Sequence, residues 1–125
     1  MARIILDANF ILLPLERKVD IYSQLRGMFE GKMEFVAPRQ VFSELSAMAG
    51  ERGKRARLAK AALELAQKNL VGQISSTARK ADDAIVEAAG RQDVVCTNDA
   101  ALGRKLAAKG VRTLSATANG MLAAR

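Results

Sequence analysis

This chain contains no histidine, and that absence removes much of enzyme chemistry. Imidazole acid–base catalysis, serine or cysteine triads of the usual kind and imidazole metal sites are all excluded. Cysteine is nearly as scarce. Cys96 stands alone, so neither an internal disulfide nor a thiolate zinc cluster can form. The aromatics are Phe10, Tyr22, Phe29, Phe35 and Phe42. They form no spaced pair for stacking bases, which argues against RRM-like and OB-type binders. The glycine-rich phosphate fingerprints are missing too: no GxGxxG follows the first apolar run, and there is no Walker A. No stretch reaches the roughly 18–20 apolar residues of a membrane span. Asp7 and Asn9 interrupt the apolar residues near the N-terminus, and no signal-peptide pattern precedes them. A soluble cytoplasmic protein is expected, whose chemistry comes from carboxylates, lysines, hydroxyls or a hard metal ion.

What is present is positive charge and enough apolar residues for a core. The net charge is +7 over 125 residues, half of them apolar. The pI near 10.1 favours a polyanionic partner, nucleic acid first among them. The length suits one domain spanning residues 1–125.

Along the chain, strand-like and helix-like patterns alternate. Arg3–Leu6 reads as a short buried strand ending at Asp7. Pro14 is expected to break the next apolar run, with a helix after it in which Val19, Tyr22, Leu25, Met28 and Phe29 recur at helical spacing. Met33–Ala37 alternates between Gly31 and Pro38 and reads as a strand. A helix follows with Val41, Phe42, Leu45 and Met48 in one stripe, then a longer one over 54–68. Strands at 70–74, 94–97 and 111–114 alternate with helices at 80–90 and 100–109, and a short helix is expected to close the chain. Such alternation predicts an α/β domain with a mostly parallel sheet and helices on both faces.

In an open parallel sheet, ligands bind outside the carboxyl ends of the strands. Asp7 and Asp99 both fall at such ends. If the first and fourth strands are neighbours, both carboxylates lie at the topological switch point. Glu44 borders the Val41–Leu45–Met48 stripe, about 40° from Met48 at about 100° per residue. Asp82 and Asp83 open the next helix, and a wheel puts Asp82 nearer the Ala81–Ile85–Ala88 face. Each acid also has a plain structural role open to it: Asp99 as an N-cap, Asp82 and Asp83 as complements to a helix dipole, Glu44 as a solvated side chain, Asp7 as a turn cap. Taken together, several converging carboxylates repel one another, and a divalent hard cation such as Mg²⁺ relieves that conflict.

Four short motifs carry a resemblance to the PIN-domain family. They are Asp7-Ala8-Asn9-Phe10 after the first strand, Ser43-Glu44-Leu45 on a helix, Asp82-Asp83-Ala84-Ile85 opening a later helix, and Thr97-Asn98-Asp99 after a strand. The chain resembles small stand-alone archaeal PIN proteins related to ribosomal RNA processing nucleases, and is also similar to VapC-type toxin ribonucleases. The resemblance implies a three-layer Rossmann-like sandwich with a five-stranded, mostly parallel sheet. It implies Mg²⁺- or Mn²⁺-dependent cleavage of RNA, a homodimer, and an antitoxin or ribosome-assembly partner. Carried over by position, Asp7, Glu44, Asp83 and Asp99 become the catalytic, metal-holding acids, with Asp82 the second candidate for the third of them. Asn9 and Thr97 match supporting polar positions, for which turn chemistry is the alternative.

A basic segment follows the Glu44 helix. Arg52, Lys54, Arg55, Arg57 and Lys60 are candidates for sequence-independent contacts to RNA phosphates, or simply a solvated helix face; Arg104 and Lys105 are weaker candidates of the same kind. Two other classes compete with the nuclease. One is a non-catalytic RNA-binding or assembly module on the same fold. The other is a flavodoxin- or receiver-type domain, which the lone acid after the first strand and the missing late lysine argue against.

Overall fold

The computed structural model describes residues 2–124. Twelve elements follow in chain order: β1 (Ala2–Leu6), α1 (Ala8–Arg17), α2 (Ile21–Met28), β2 (Met33–Pro38), α3 (Arg39–Ala49), α4 (Lys54–Lys68), β3 (Gly72–Ile74), α5 (Ala81–Ala88), β4 (Val94–Cys96), α6 (Ala100–Ala108), β5 (Arg112–Ala116) and β6 (Leu122–Ala124). The sheet order is β3-β2-β1-β4-β5-β6. All pairings are parallel except β5–β6. Helices flank the sheet, so its central strands are buried and read as unbroken apolar runs. Ile4, Ile5 and Leu6 of β1, and Val95 and Cys96 of β4, are fully buried. Among the described residues, no helix is long and apolar enough to cross a membrane.

The sheet has six strands, against the five expected, and the chain end is a strand where a short helix was expected. Met-Leu-Ala-Ala favours a helix locally, but tertiary contacts override that preference. A turn closes where the Gly120 N–H donates to the Thr117 carbonyl at 2.9 Å and the Thr117 N–H donates to the Met121 carbonyl at 2.8 Å. Gly120 has φ +79°, and a Cβ there would meet Val19 Cγ2 at 2.5 Å, so the tight reversal requires glycine. Gln24 on α2 then grips the returning chain. Its Nε2 donates to the Gly120 carbonyl and its Oε1 accepts from the Leu122 N–H, each at 3.0 Å.

Pro14 does not break the chain as expected. It lies inside α1, which begins earlier because Asp7 caps it. A proline in a helix interior forfeits one backbone hydrogen bond. Pro14 is itself buried, as are Phe10, Ile11 and Leu13, so packing offsets the loss; the helix ends three residues later at Arg17, with Lys18 in a left-handed conformation. Helix α4 shows how small residues set spacing. Ala56, Ala59, Ala62 and Ala66 form its buried stripe, which lets α4 lie against α1 and α3 while its lysines and arginines face outward.

At the amino end of the sheet, Arg3 and Asp93 form a two-point ion pair. Arg3 Nη2 lies 2.8 Å from Asp93 Oδ2, and Arg3 Nε lies 3.1 Å from Oδ1. The Gly90 N–H also donates to Asp93 Oδ2, at 2.7 Å, and Arg3 reaches the Ala88 carbonyl at 2.9 Å. Burial works against the Asp93 charge, but the Arg3 and Gly90 hydrogen bonds prevail and hold its carboxyl below the usual carboxylate range.

Candidate active site

Asp7 occupies the carboxyl end of β1, where strand becomes helix. Its backbone N–H donates to the Cys96 carbonyl at 3.1 Å, extending the β1–β4 pairing by one bond. Its own carbonyl accepts from the Phe10 and Ile11 N–H groups and so starts α1. The side chain is held at both oxygens: Oδ1 accepts from the Ala8 N–H at 2.8 Å, and Oδ2 accepts from Thr97 Oγ1 at 2.7 Å. Thr97 is fully buried, and its hydroxyl oxygen also accepts from the Asp99 N–H at 3.0 Å. One hydroxyl thereby ties the end of β1 to the end of β4. Asp99 caps α6, with Oδ1 accepting from the Leu102 N–H at 3.1 Å. Capping and a place at the site are therefore compatible, since the cap holds Asp99 at the mouth of a cleft.

That cleft has a volume of about 730 Å³ and opens at the carboxyl edge of the sheet, where the strand order reverses around β1. Asp7, Glu44, Asp82 and Asp99 line it, with Asn9 beside them. Glu44 reaches it from α3, on the same face as Gln40 and Ser43, as spacings of three and four residues require. Of the two neighbouring aspartates on α5, Asp82 is half-buried in the cleft wall; Asp83 is exposed and outside the lining. The wheel explains this, since Ala84 and Ile85 bury the inner face of α5 and turn Asp83 away from it. Thr97 lies beneath the cleft as the link between Asp7 and Asp99. Arg52, Lys54, Arg55, Arg57 and Lys60 are exposed and do not line the cleft, although Arg55 acts electrostatically on Glu44. Arg104 and Lys105 are exposed on α6, away from the cleft.

The structure also brings to the cleft Ser43 of the Ser43-Glu44-Leu45 motif, and residues that the sequence pattern did not single out: Arg39, Gln40, Thr77, Arg79 and Lys80. A signal for some of them was present. Arg39 directly follows a strand that ends in Pro38, and Arg79-Lys80 directly precede the acidic start of α5.

The acids act on one another. Desolvation, opposed by the Thr97 and Ala8 hydrogen bonds and reinforced by the charges of Asp99 and Asp82, pushes the Asp7 carboxyl above its usual range. Glu44 is shifted the same way, first by desolvation and then by Asp7 and Asp82, against the pull of Arg55. Like charges gathered at a partly desolvated point favour either a bound proton or a bound cation. The donor set is oxygen only, which suits a hard divalent ion. Among the described residues, no three Asp, Glu or Cys side chains make a ready-made metal-holding group.

Comparison with known proteins agrees with this architecture. A family model described as a PIN-like domain matches residues 4–117. Among solved structures, the PIN domain endonuclease Utp24 superposes with a TM-score of 0.80 at 26% identity, over 98% of this chain and 90% of that one. The VapBC-1 structure from nontypeable Haemophilus influenzae superposes with a TM-score of 0.58 at 11% identity, over 85% of this chain and 93% of that one, a likeness of fold. No curated protein matches the chain. With the family model covering the parallel part of the sheet from residue 4 and the whole cleft, the chain belongs to the PIN-like domain family, a family of nucleases.

Proposed function

We propose that the protein is a divalent-metal-dependent endoribonuclease, and that Asp7, Glu44, Asp82 and Asp99 are its catalytic acids. The carrying observation is their convergence on one cleft, with Asp7 and Glu44 both raised by desolvation and by the other carboxylates. Asp82 takes the place that the family pattern gives to Asp83, because Asp82 lines the cleft and Asp83 does not. Mg²⁺ or Mn²⁺ fits the oxygen-only donor set, held by one or two direct carboxylates with water completing the shell, as Mg²⁺ commonly is. When bound, such an ion lowers the pKa of a coordinated water and stabilises negative charge on a phosphodiester. The chain's own residues prepare the place for it. Thr97 fixes the Asp7 carboxylate, the α6 cap fixes Asp99, and Asn9 adds a polar side chain at the rim.

A net charge of +7 supports RNA as the polyanion, with the exposed basic stretch of Arg52, Lys54, Arg55, Arg57 and Lys60 as an outer binding face. We place the activity in ribosomal RNA processing in the cytoplasm. The higher identity of the Utp24 match and its fuller coverage of this chain favour this over a VapC-type toxin role. The chain acts as one domain over residues 1–125 and pairs as a homodimer, with a ribosome-assembly factor as its further partner.

The test is cleavage of single-stranded RNA with Mn²⁺ and with EDTA, wild type beside Asp7→Asn and Asp99→Asn. Cutting that needs metal and disappears in both variants is the expected result. Absent cutting, or cutting that persists in both, would leave an RNA-binding module on a nuclease fold.

A further inference from the structure

The cleft has a second wall, and it is cationic. Arg39 begins α3, while Arg79 and Lys80 end the connection between β3 and α5. All three side chains line the cleft and are exposed. Among the described residues, none of the three forms an ion pair or side-chain hydrogen bond, although four carboxylates line the same cleft. The acids and the cations are thus kept apart, and the cations remain available to a ligand.

The wall is also held in place. Gln40 is 7% exposed, and its Nε2 donates to the Ser76 carbonyl at 3.0 Å and to the Ala78 carbonyl at 2.5 Å. Its Oε1 is buried with no partner, so the side chain serves as a double donor that pins the connection carrying Arg79 and Lys80 against α3. Helices α3 and α5 both begin at this wall, and neither has a side-chain cap, whereas aspartates cap α1, α2 and α6. Uncapped N–H groups beside cations carried on a held backbone favour an anion.

We propose that Arg39, Arg79 and Lys80 bind a backbone phosphate of single-stranded RNA that flanks the scissile one. This rests on the ribonuclease reading above. The strand would then cross the cleft from the cationic wall to the acids, and the enzyme would need a substrate extending at least one nucleotide beyond the cut. The wall makes no base-specific demand, so it supplies affinity and register without sequence preference.

The experiment uses the full chain carrying Asp7→Asn and a fluorescent ten-nucleotide oligouridylate, with affinity measured across a range of KCl concentrations. Each phosphate of a single strand that the protein no longer neutralises lowers the slope of log K against log salt by about 0.7. Adding Arg39→Ala, Arg79→Ala and Lys80→Ala together is therefore expected to lower the slope by about 0.7 and weaken binding about fivefold at about 0.1 M salt. Arg91→Ala, at the opposite end of β4, serves as the charge control and leaves the slope unchanged. An unchanged slope in the triple variant overturns the proposal. In the cutting enzyme, the same triple variant is expected to raise KM while kcat stays within about twofold, the pattern of diminished uniform binding. A fall in kcat at constant KM would place the cations on the reacting phosphate and overturn the flanking assignment. The two readings separate cleanly. A lowered slope in a protein that never cuts RNA sinks the nuclease reading alone, and cutting with an unchanged slope sinks the wall alone.

Discussion

Strand β1 has an ionisable residue near each end, and the fold treats the two ends in opposite ways. At the amino end, Arg3 meets Asp93 in a two-point pair, and Asp93 sits below the usual carboxylate range. At the carboxyl end, Asp7 meets other acids, and its carboxyl sits above that range. Both aspartates accept two hydrogen bonds or more, so hydrogen bonding alone does not separate them. What differs is whether burial wins: at Asp7 desolvation prevails and the charges of Asp99 and Asp82 reinforce it, while at Asp93 the Arg3 and Gly90 hydrogen bonds and the Arg3 charge overcome it. One end gains stability from its ionisation, while the other gives up stability to keep carboxylates together, as sites built for chemistry commonly do.

Four substitutions probe this contrast. The largest effect is expected from Asp7→Asn, which should lower metal-dependent RNA cleavage on the order of 10³-fold, the scale of several kcal/mol of charge stabilisation removed. Asp93→Asn should leave the rate per folded molecule unchanged in the same kinetic assay. Next comes stability. Asp93→Asn breaks a partly buried pair and leaves Arg3 without its charge partner, at a cost of about 2 kcal/mol in urea unfolding. A cost near zero would mean that the amino end is not held by its ion pair. Smaller again is the contrast between neighbours on α5. Asp82→Asn should reduce cleavage about tenfold, as expected for loss of a supporting ligand group, while Asp83→Asn should match wild type. The reverse order would return the third acid to Asp83.

The smallest effect is one of sign with pH. The Asp93 carboxyl is depressed in the fold, so its contribution is present above its unfolded pKa and is lost as pH falls through the folded value. The Asp7 and Glu44 carboxyls are raised in the fold, so their contribution is complete below the unfolded pKa and is lost as pH rises through the folded value. Without metal, Asp7→Asn should therefore melt slightly above wild type at neutral pH, and that advantage should vanish in acid. For Asp93→Asn the deficit should be full at neutral pH and shrink in acid. Thermal melts from about pH 3 to about pH 7 would show whether the two curves run in opposite directions.

The carboxyl end of this contrast was legible in the sequence, whereas the Arg3–Asp93 pair, ninety residues apart, was not. Asp7 and Asp99 each follow an apolar run and precede a helical one, so a parallel sheet had to bring both to one edge once β1 and β4 paired. Glu44 was placed by helical spacing from Val41 and Leu45. Other features depended on contacts that no local pattern encodes. The closing strand depends on Gln24, nearly a hundred residues earlier, gripping Gly120 and Leu122. The choice between Asp82 and Asp83 depends on how α5 rolls onto the sheet, a matter of about 100° per residue. The cationic wall depends on Gln40 reaching across to Ser76 and Ala78. In each case the deciding partner is distant in the chain or the deciding quantity is a rotation.

The contrast between the two ends comes down to one measurement, the melting temperature of wild type and Asp7→Asn with and without Mn²⁺. A ligand at about a hundred times its Kd stabilises a fold by about 2.7 kcal/mol. Wild type should start at the lower melting temperature and rise by several degrees with Mn²⁺, while Asp7→Asn should start higher and respond little. Equal responses in the two proteins, or none in either, would contradict the assignment of the carboxyl end of β1 as a metal-holding centre.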